Sequence, residues 1–132
     1  MANEGIELRT DLAVPEVAAI FHDSLAETNR RIEFSSIRGD SGPFAQFEAQ
    51  PEFSTVASVF GKVNPLNNFA LQIYVFDKGD CREVQLVVVG SSPLGRVFHG
   101  AKYTYSKSVG WKQAKYVLDR LRSADPELQQ IS

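Results

Sequence analysis

Two apolar runs of matched length, Phe69–Phe76 and Glu83–Gly90, flank the turn sequence Asp77-Lys78-Gly79-Asp80. Turn residues of this kind between strand-forming runs direct the chain into an antiparallel hairpin. Phe69, Leu71, Ile73 and Val75 alternate with Ala70, Gln72, Tyr74 and Phe76, and Val84, Leu86 and Val88 alternate with Gln85, Val87 and Val89. Both faces of the hairpin are largely apolar, so it belongs at the centre of a sheet, buried on two sides or lining a pocket.

A helix must pack on that sheet. Over Ser108–Ser123 the residues Trp111, Ala114, Val117, Leu118 and Leu121 recur at helical spacing, with Lys112, Tyr116 and Asp119 directed away. Ser106 or Ser108 supplies the cap, and Asp125-Pro126 ends the helix. A second helical stripe, Val14, Val17, Ala18, Phe21 and Leu25, follows a short alternating segment, Gly5–Thr10. Pro15 suits a helix start, and Glu16 and the pair Arg30 and Arg31 complement the helix dipole.

Between the helices, further strands are expected over Arg31–Ile37, Phe44–Gln50, Phe53–Val63 and Arg96–Tyr105, with turns at 38–43, 64–68 and 91–95. The fold class is α+β. It is a curved antiparallel sheet of about six or seven strands with an N-terminal helix and a long C-terminal helix on one face. The 132 residues fit one domain, with residues 1–4 and 126–132 expected to be loose.

Composition narrows the function classes. Hydrophobic residues at 43% and charged residues at 23% are those of an ordinary globular chain, and a net charge of −2 gives no strong field for nucleic acid or anionic membrane. No apolar run approaches a membrane span. The lone Cys81 cannot form an intramolecular disulfide, and the N-terminus lacks a secretory signal pattern, so a cytoplasmic location is expected. Six basic residues and one acidic residue, Asp119, lie between Lys102 and Arg122, as on a solvated helix face.

The candidate binding residues cluster after Gly95. Period-two geometry places His99, Tyr103 and Tyr105 on one strand face, where an imidazole and two phenols could meet a ligand's polar end. Trp111 and Tyr74 complete the candidate set as walls of a chamber between the sheet and the C-terminal helix. Other constellations have simpler explanations. Asp77, Asp80 and Glu83 lack the spacing of a calcium loop and suit a turn. His22 beside Asp23 has no nucleophile near it in sequence, and the two histidines lack zinc-ligand spacing. Cys81 has acidic neighbours beside Arg82, and Gly90–Arg96 lacks the lysine and helix of a phosphate loop. Arg38-Gly39-Asp40 is explained by turn chemistry. Lys102–Lys107 interleaves lysines and tyrosines, but nucleic-acid binding is not expected from so short a stretch.

The stretch Ile6–Phe21, with its Val14-Pro15-Glu16 helix start, and Gly110-Trp111-Lys112-Gln113-Ala114, followed by Leu118 and Leu121, resemble the ends of START-like helix-grip proteins. The resemblance covers about a third of the chain and implies a curved sheet gripping a long C-terminal helix. The chain departs from that family in having one early helix where two short ones are usual. The element order is also similar to the saddle fold of TATA-binding-protein-like domains. Two functions follow as expectations. One is a small binding protein that holds an apolar or amphipathic molecule between sheet and helix. The other is an interaction or homodimerisation module that uses the aromatic face of Tyr74 and Phe76. No cofactor, metal or paired acid–base machinery is expected, and an enzyme is the less favoured reading.

Overall fold

The computed structural model describes residues 4–29, 32–36, 51–59, 68–89 and 106–131. In chain order these form β1 (Glu4–Thr10), α1 (Val14–Thr28), β2 (Glu33–Ser36), β3 (Phe53–Val59), β4 (Phe69–Asp77), β5 (Arg82–Val89), α2 (Lys107–Ala124) and β6 (Gln129–Gln130). The fold is α+β, with an antiparallel sheet in the order β2-β3-β4-β5-β1-β6. The strands expected over Phe44–Gln50 and Arg96–Tyr105 lie outside the described residues.

The β4–β5 hairpin forms as its sequence predicts. Its register pairs Asp77 with Arg82 and Tyr74 with Gln85. The connection is one residue later than the turn motif suggests, because Asp77 and Arg82 still belong to the strands. Asp77 Oδ1 accepts from the Gly79 amide at 2.9 Å, the Lys78 amide donates to the Cys81 carbonyl at 2.9 Å, and Gly79 adopts φ +90°. Such a backbone conformation favours glycine, and the aspartate side chain closes the turn locally.

The alternation of the hairpin divides two cores. Phe69, Leu71, Ile73 and Val75 of β4 and Val84, Leu86 and Val88 of β5 join Leu8, Ala57 and both helices in one buried cluster. Tyr74, Phe76 and Val87 form a second cluster on the opposite face. Each fully buried aliphatic or aromatic side chain contributes about 1.5–3 kcal/mol relative to exposure, so the central hairpin carries much of the stabilisation. β3 lies beside β4 in a single register, Phe53 opposite Val75 through Val59 opposite Phe69. β1 pairs with β5 along its whole length, Glu4 opposite Val88 through Thr10 opposite Arg82.

Both helices pack on the first face. Helix α1 buries Val17, Phe21, Ser24 and Leu25. Its start has no side-chain acceptor at Ala13, and Glu16 instead reaches back to the Ala13 amide at 3.3 Å. Helix α2 begins at Ser106, whose Oγ accepts from the Val109 amide at 3.3 Å, and buries Gly110, Ala114, Val117, Leu118 and Leu121. Trp111, expected on the inward stripe, is half-buried at the edge of the same core. The helices are clasped to each other by Glu27, which accepts from Arg120 Nη1 at 2.8 Å and from the Tyr116 hydroxyl at 3.0 Å. Those donors lower the Glu27 pKa, the Arg120 bond being the larger cause.

Two polar side chains stitch the ends of the sheet. Arg82 donates from Nε to the Leu12 carbonyl and from Nη2 to the Asp11 carbonyl, both at 2.8 Å, and so ties the hairpin to the β1–α1 connection. Asp125 ties the end of α2 to the same connection through Thr10 and Asp11. The C-terminus, expected to be loose, instead adds β6 to the outer edge of β1, with the Ile131 amide donating to the Glu7 carbonyl at 2.8 Å. The reason is that β1 has an edge to pair and the turn after α2 delivers the chain there.

At Gly110 the α2 backbone lies against the sheet. A Cβ added there would sit 2.6 Å from Val88 Cγ1 and 4.0 Å from the Ala70 carbonyl oxygen. Gly110→Val should therefore lower stability by about 1–3 kcal/mol through overpacking. The readout is a reduced urea midpoint at unchanged m-value. A midpoint equal to the wild type would show that the helix can withdraw from β5 without penalty.

Candidate functional site

Of the sequence-predicted site residues, the two that are described, Trp111 and Tyr74, lie on opposite sides of the sheet. His99, Tyr103 and Tyr105 lie outside the described residues. Trp111 stands on α2 and packs against the helix-side core, whereas Tyr74 points to the opposite face of the sheet. The seam expected to hold a ligand is filled by protein where it is described. Leu71, Val88, Ala114, Val117 and Leu121 are all fully buried in it, and Gly110 brings backbone into contact with Val88.

The face around Tyr74 offers a different arrangement. Strand register sets Glu7, Gln85, Tyr74 and Ser54 in a row across β1, β5, β4 and β3. The adjoining row on one side carries Val87 and Gln72, and on the other Glu83 and Phe76. Directly opposed side chains on one sheet face are in contact range. Tyr74, Phe76 and Val87 are 4%, 6% and 2% exposed, so the Tyr74–Gln85 pair sits within an apolar patch. The Tyr74 hydroxyl donates along its own strand to Gln72 Oε1 at 3.4 Å. Burial raises the Tyr74 pKa, which keeps the phenol neutral and able to donate.

Gln85 is the residue that the candidate set omits. The residue is 9% exposed, and Oε1 has no hydrogen-bond partner among the described residues. A buried amide oxygen left unpaired costs about 1–3 kcal/mol, so the position invites a donor. The signal was present in the sequence as one glutamine within Val84-Gln85-Leu86-Val87-Val88-Val89. Assigning it to Tyr74 needs the hairpin register, which the position of the turn alone leaves open by one residue. At the rim, Arg9 and Glu83 pair at 3.7 Å, and Lys78 Nζ lies 5.8 Å from the centre of the Phe76 ring.

A second feature is an open cleft of about 380 Å³ lined by Arg9, Thr10, Asp11, Asp125, Glu127 and Gln129. Its central carboxylate is occupied by the fold. Asp125 Oδ2 accepts from the Thr10 hydroxyl at 2.6 Å and from the Asp11 amide at 3.2 Å, and Oδ1 accepts from the Glu127 amide at 3.1 Å. The Thr10 bond chiefly, with the two amides, pulls the Asp125 pKa below the ordinary aspartate value. The cleft is thus a latch between α2 and β1.

The remaining candidates resolve as structural features. His22 is exposed, meets Asp23 at 3.2 Å and stacks on Phe34 at a centroid distance of 4.4 Å. Asp77 serves the hairpin turn and approaches Arg82 Nη1 at 3.4 Å. Among the described residues no group of three or more His, Cys, Asp or Glu side chains could hold a metal ion. Also among them, no helix is long and apolar enough to cross a membrane.

No protein-family model matches the chain. No functionally curated protein is significantly similar to it.

Two outcomes follow from this geometry. The folded-state pKa of Asp125 is depressed, so its contribution is complete above the ordinary aspartate range and is lost as pH falls below about 4. Asp125→Asn should flatten the fall in melting temperature between pH 5 and pH 2 and cost about 1 kcal/mol or less at neutral pH, given the exposure of the site. Parallel melting profiles for both proteins would contradict the latch. Gln85→Leu should raise stability by about 1 kcal/mol, because it replaces a buried amide whose oxygen is unpaired by an apolar group of similar size. A loss of stability in chemical denaturation would mean that the amide oxygen is paired in solution.

Proposed function

We propose that this chain is a binding protein that holds a small apolar or amphipathic molecule against the sheet face carrying Tyr74, Phe76 and Val87. The observation that carries this reading is the buried, unpartnered Gln85 Oε1 opposite Tyr74 within an apolar patch. Apolar surroundings supply affinity, and one or two fixed polar groups supply orientation.

This reading moves the site from where a helix-grip resemblance would put it. There the ligand would lie between the sheet and the C-terminal helix, a seam that Gly110, Ala114 and Val117 occupy at close contact with β4 and β5. The alternative of a partner-binding aromatic face needs Tyr74 and Phe76 within reach of another protein. Both rings are buried within the single chain, which counts against that alternative.

The test is direct. Protein purified under native conditions, then denatured in organic solvent, should release a stoichiometric small molecule detectable by mass spectrometry. Release should fall several-fold from a Tyr74→Ala, Val87→Ala double variant that remains folded by circular dichroism. Equal release from the variant would exclude this face as the site.

A further inference from the structure

We infer that β6 is a displaceable cap on a self-complementary sheet edge, and that the outer edge of β1 pairs with β1 of a second copy of this chain when β6 leaves. The interaction surface is the backbone edge of the sheet and is independent of the ligand face around Tyr74.

β6 is poorly matched to the strand it covers. Gln130 opposes Leu8 and Gln129 opposes Arg9, and the Ile131 amide adds a bond to the Glu7 carbonyl at 2.8 Å. Gln129, Gln130 and Ile131 are all exposed, Ile131 at 39%, whereas Leu8 is fully buried. A glutamine therefore faces a core leucine, and an exposed isoleucine lies beside an acidic residue. Such pairs forgo the stabilisation that apolar or opposite-charge partners give across strands.

β1 matches itself. The Glu7 carbonyl points away from β5 and toward Ile131, so by alternation Gly5, Glu7 and Arg9 direct their backbone groups to the outer edge. An antiparallel copy of β1 centred on Leu8 sets Glu7 opposite Arg9 of the second copy, and Arg9 opposite its Glu7, both as hydrogen-bonded pairs. Leu8 then meets Leu8 on the axis as a non-hydrogen-bonded pair, where side chains approach closest. The polar-on-apolar contact at Leu8 becomes apolar, and each outer charge gains an opposite one. Arg9 reaches Glu83 at 3.7 Å and is still about half exposed there, so a second carboxylate can approach it. The row Glu83, Arg9 and the second copy's Glu7 then alternates in sign across the joint. Pairing about a two-fold axis is closed, because each β1 edge is consumed by the other.

The test uses the full chain. Gln129→Pro with Ile131→Pro removes the β6 amides that face β1, at exposed positions, and Ile131→Pro alone serves as a second variant if the first is poorly folded. By sedimentation equilibrium the proline variant should self-associate at least about tenfold more tightly than the wild type. Protection of its Arg9 amide from hydrogen exchange should rise with protein concentration. Adding Glu7→Arg to the proline variant sets like charges opposite each other and should weaken association about tenfold. Adding Arg9→Glu to that protein restores opposite charges in the same register and should recover the association. A proline variant no more associated than the wild type overturns the inference. So does an Arg9 amide as protected in the dilute variant as in the wild type, or association indifferent to both charge changes. Exchange of β6 between two copies needs the strand that the prolines disable, so weaker association of the proline variant would point to exchange and overturn the β1 pairing.

Discussion

Burial of the β4–β5 hairpin on both of its faces is the constraint from which the rest of the molecule follows. A strand pair in the middle of a sheet has its backbone groups satisfied by neighbours, so its side chains can be apolar on both sides. One face, through Phe69, Leu71, Ile73, Val75, Val84, Leu86 and Val88, supplies the surface on which both helices settle. The other carries Tyr74, Phe76 and Val87 as a separate cluster. β3 and β1 flank the hairpin and complete its hydrogen bonding. Helix α2 can lie flat on β4 and β5 because Gly110 has no side chain to hold it away.

The ends of the elements are fixed by a few polar groups acting over long sequence separations. Arg82 leaves the hairpin to bond two carbonyls before α1. Asp125 leaves the end of α2 to collect the Thr10 hydroxyl and two backbone amides. Glu27 joins α1 to α2 through Arg120 and Tyr116. Arg82 and Asp125 satisfy backbone groups in the connections next to strand and helix ends, whereas Glu27 pairs side chain with side chain. Their work is accounted for by the fold, and for that reason the acidic cleft around Asp125 reads as a joint and not as the proposed site. Among the described residues of the Tyr74 face, Gln85 Oε1 is left without a hydrogen-bond partner.

Much of this was legible beforehand and some was not, for reasons that particular residues make plain. The hairpin and both helix stripes follow from periodicity, and of the two serines that could cap α2, Ser106 and Ser108, the structure uses Ser106. The shift of the turn by one residue follows from Asp77 and Arg82, which pair in the strands although their composition suits a turn. β6 could not be anticipated because Gln129 and Gln130 have no strand character of their own, and their pairing depends on an edge formed more than a hundred residues earlier in the chain. Of the candidate site residues, Tyr74 was identified by type and Trp111 by its helix. Their separation to opposite sides of the sheet depends on which face of β4 the helices cover. Gln85 was overlooked because a glutamine in an apolar strand gains meaning only from its cross-strand neighbour.

The linear order of apolar and polar residues by itself settled the α+β class, the central hairpin and the inward stripe of each helix, since periods of 2.0 and 3.6 are local properties of the backbone. Tertiary structure alone decided which hairpin face met the helices, that the seam beneath α2 is filled over the described residues, and that Tyr74 and Gln85 came to share a buried patch. Those outcomes depend on register and on the distance of approach between elements. Both are set by packing among residues far apart in the chain, and neither is encoded in the spacing of any one segment.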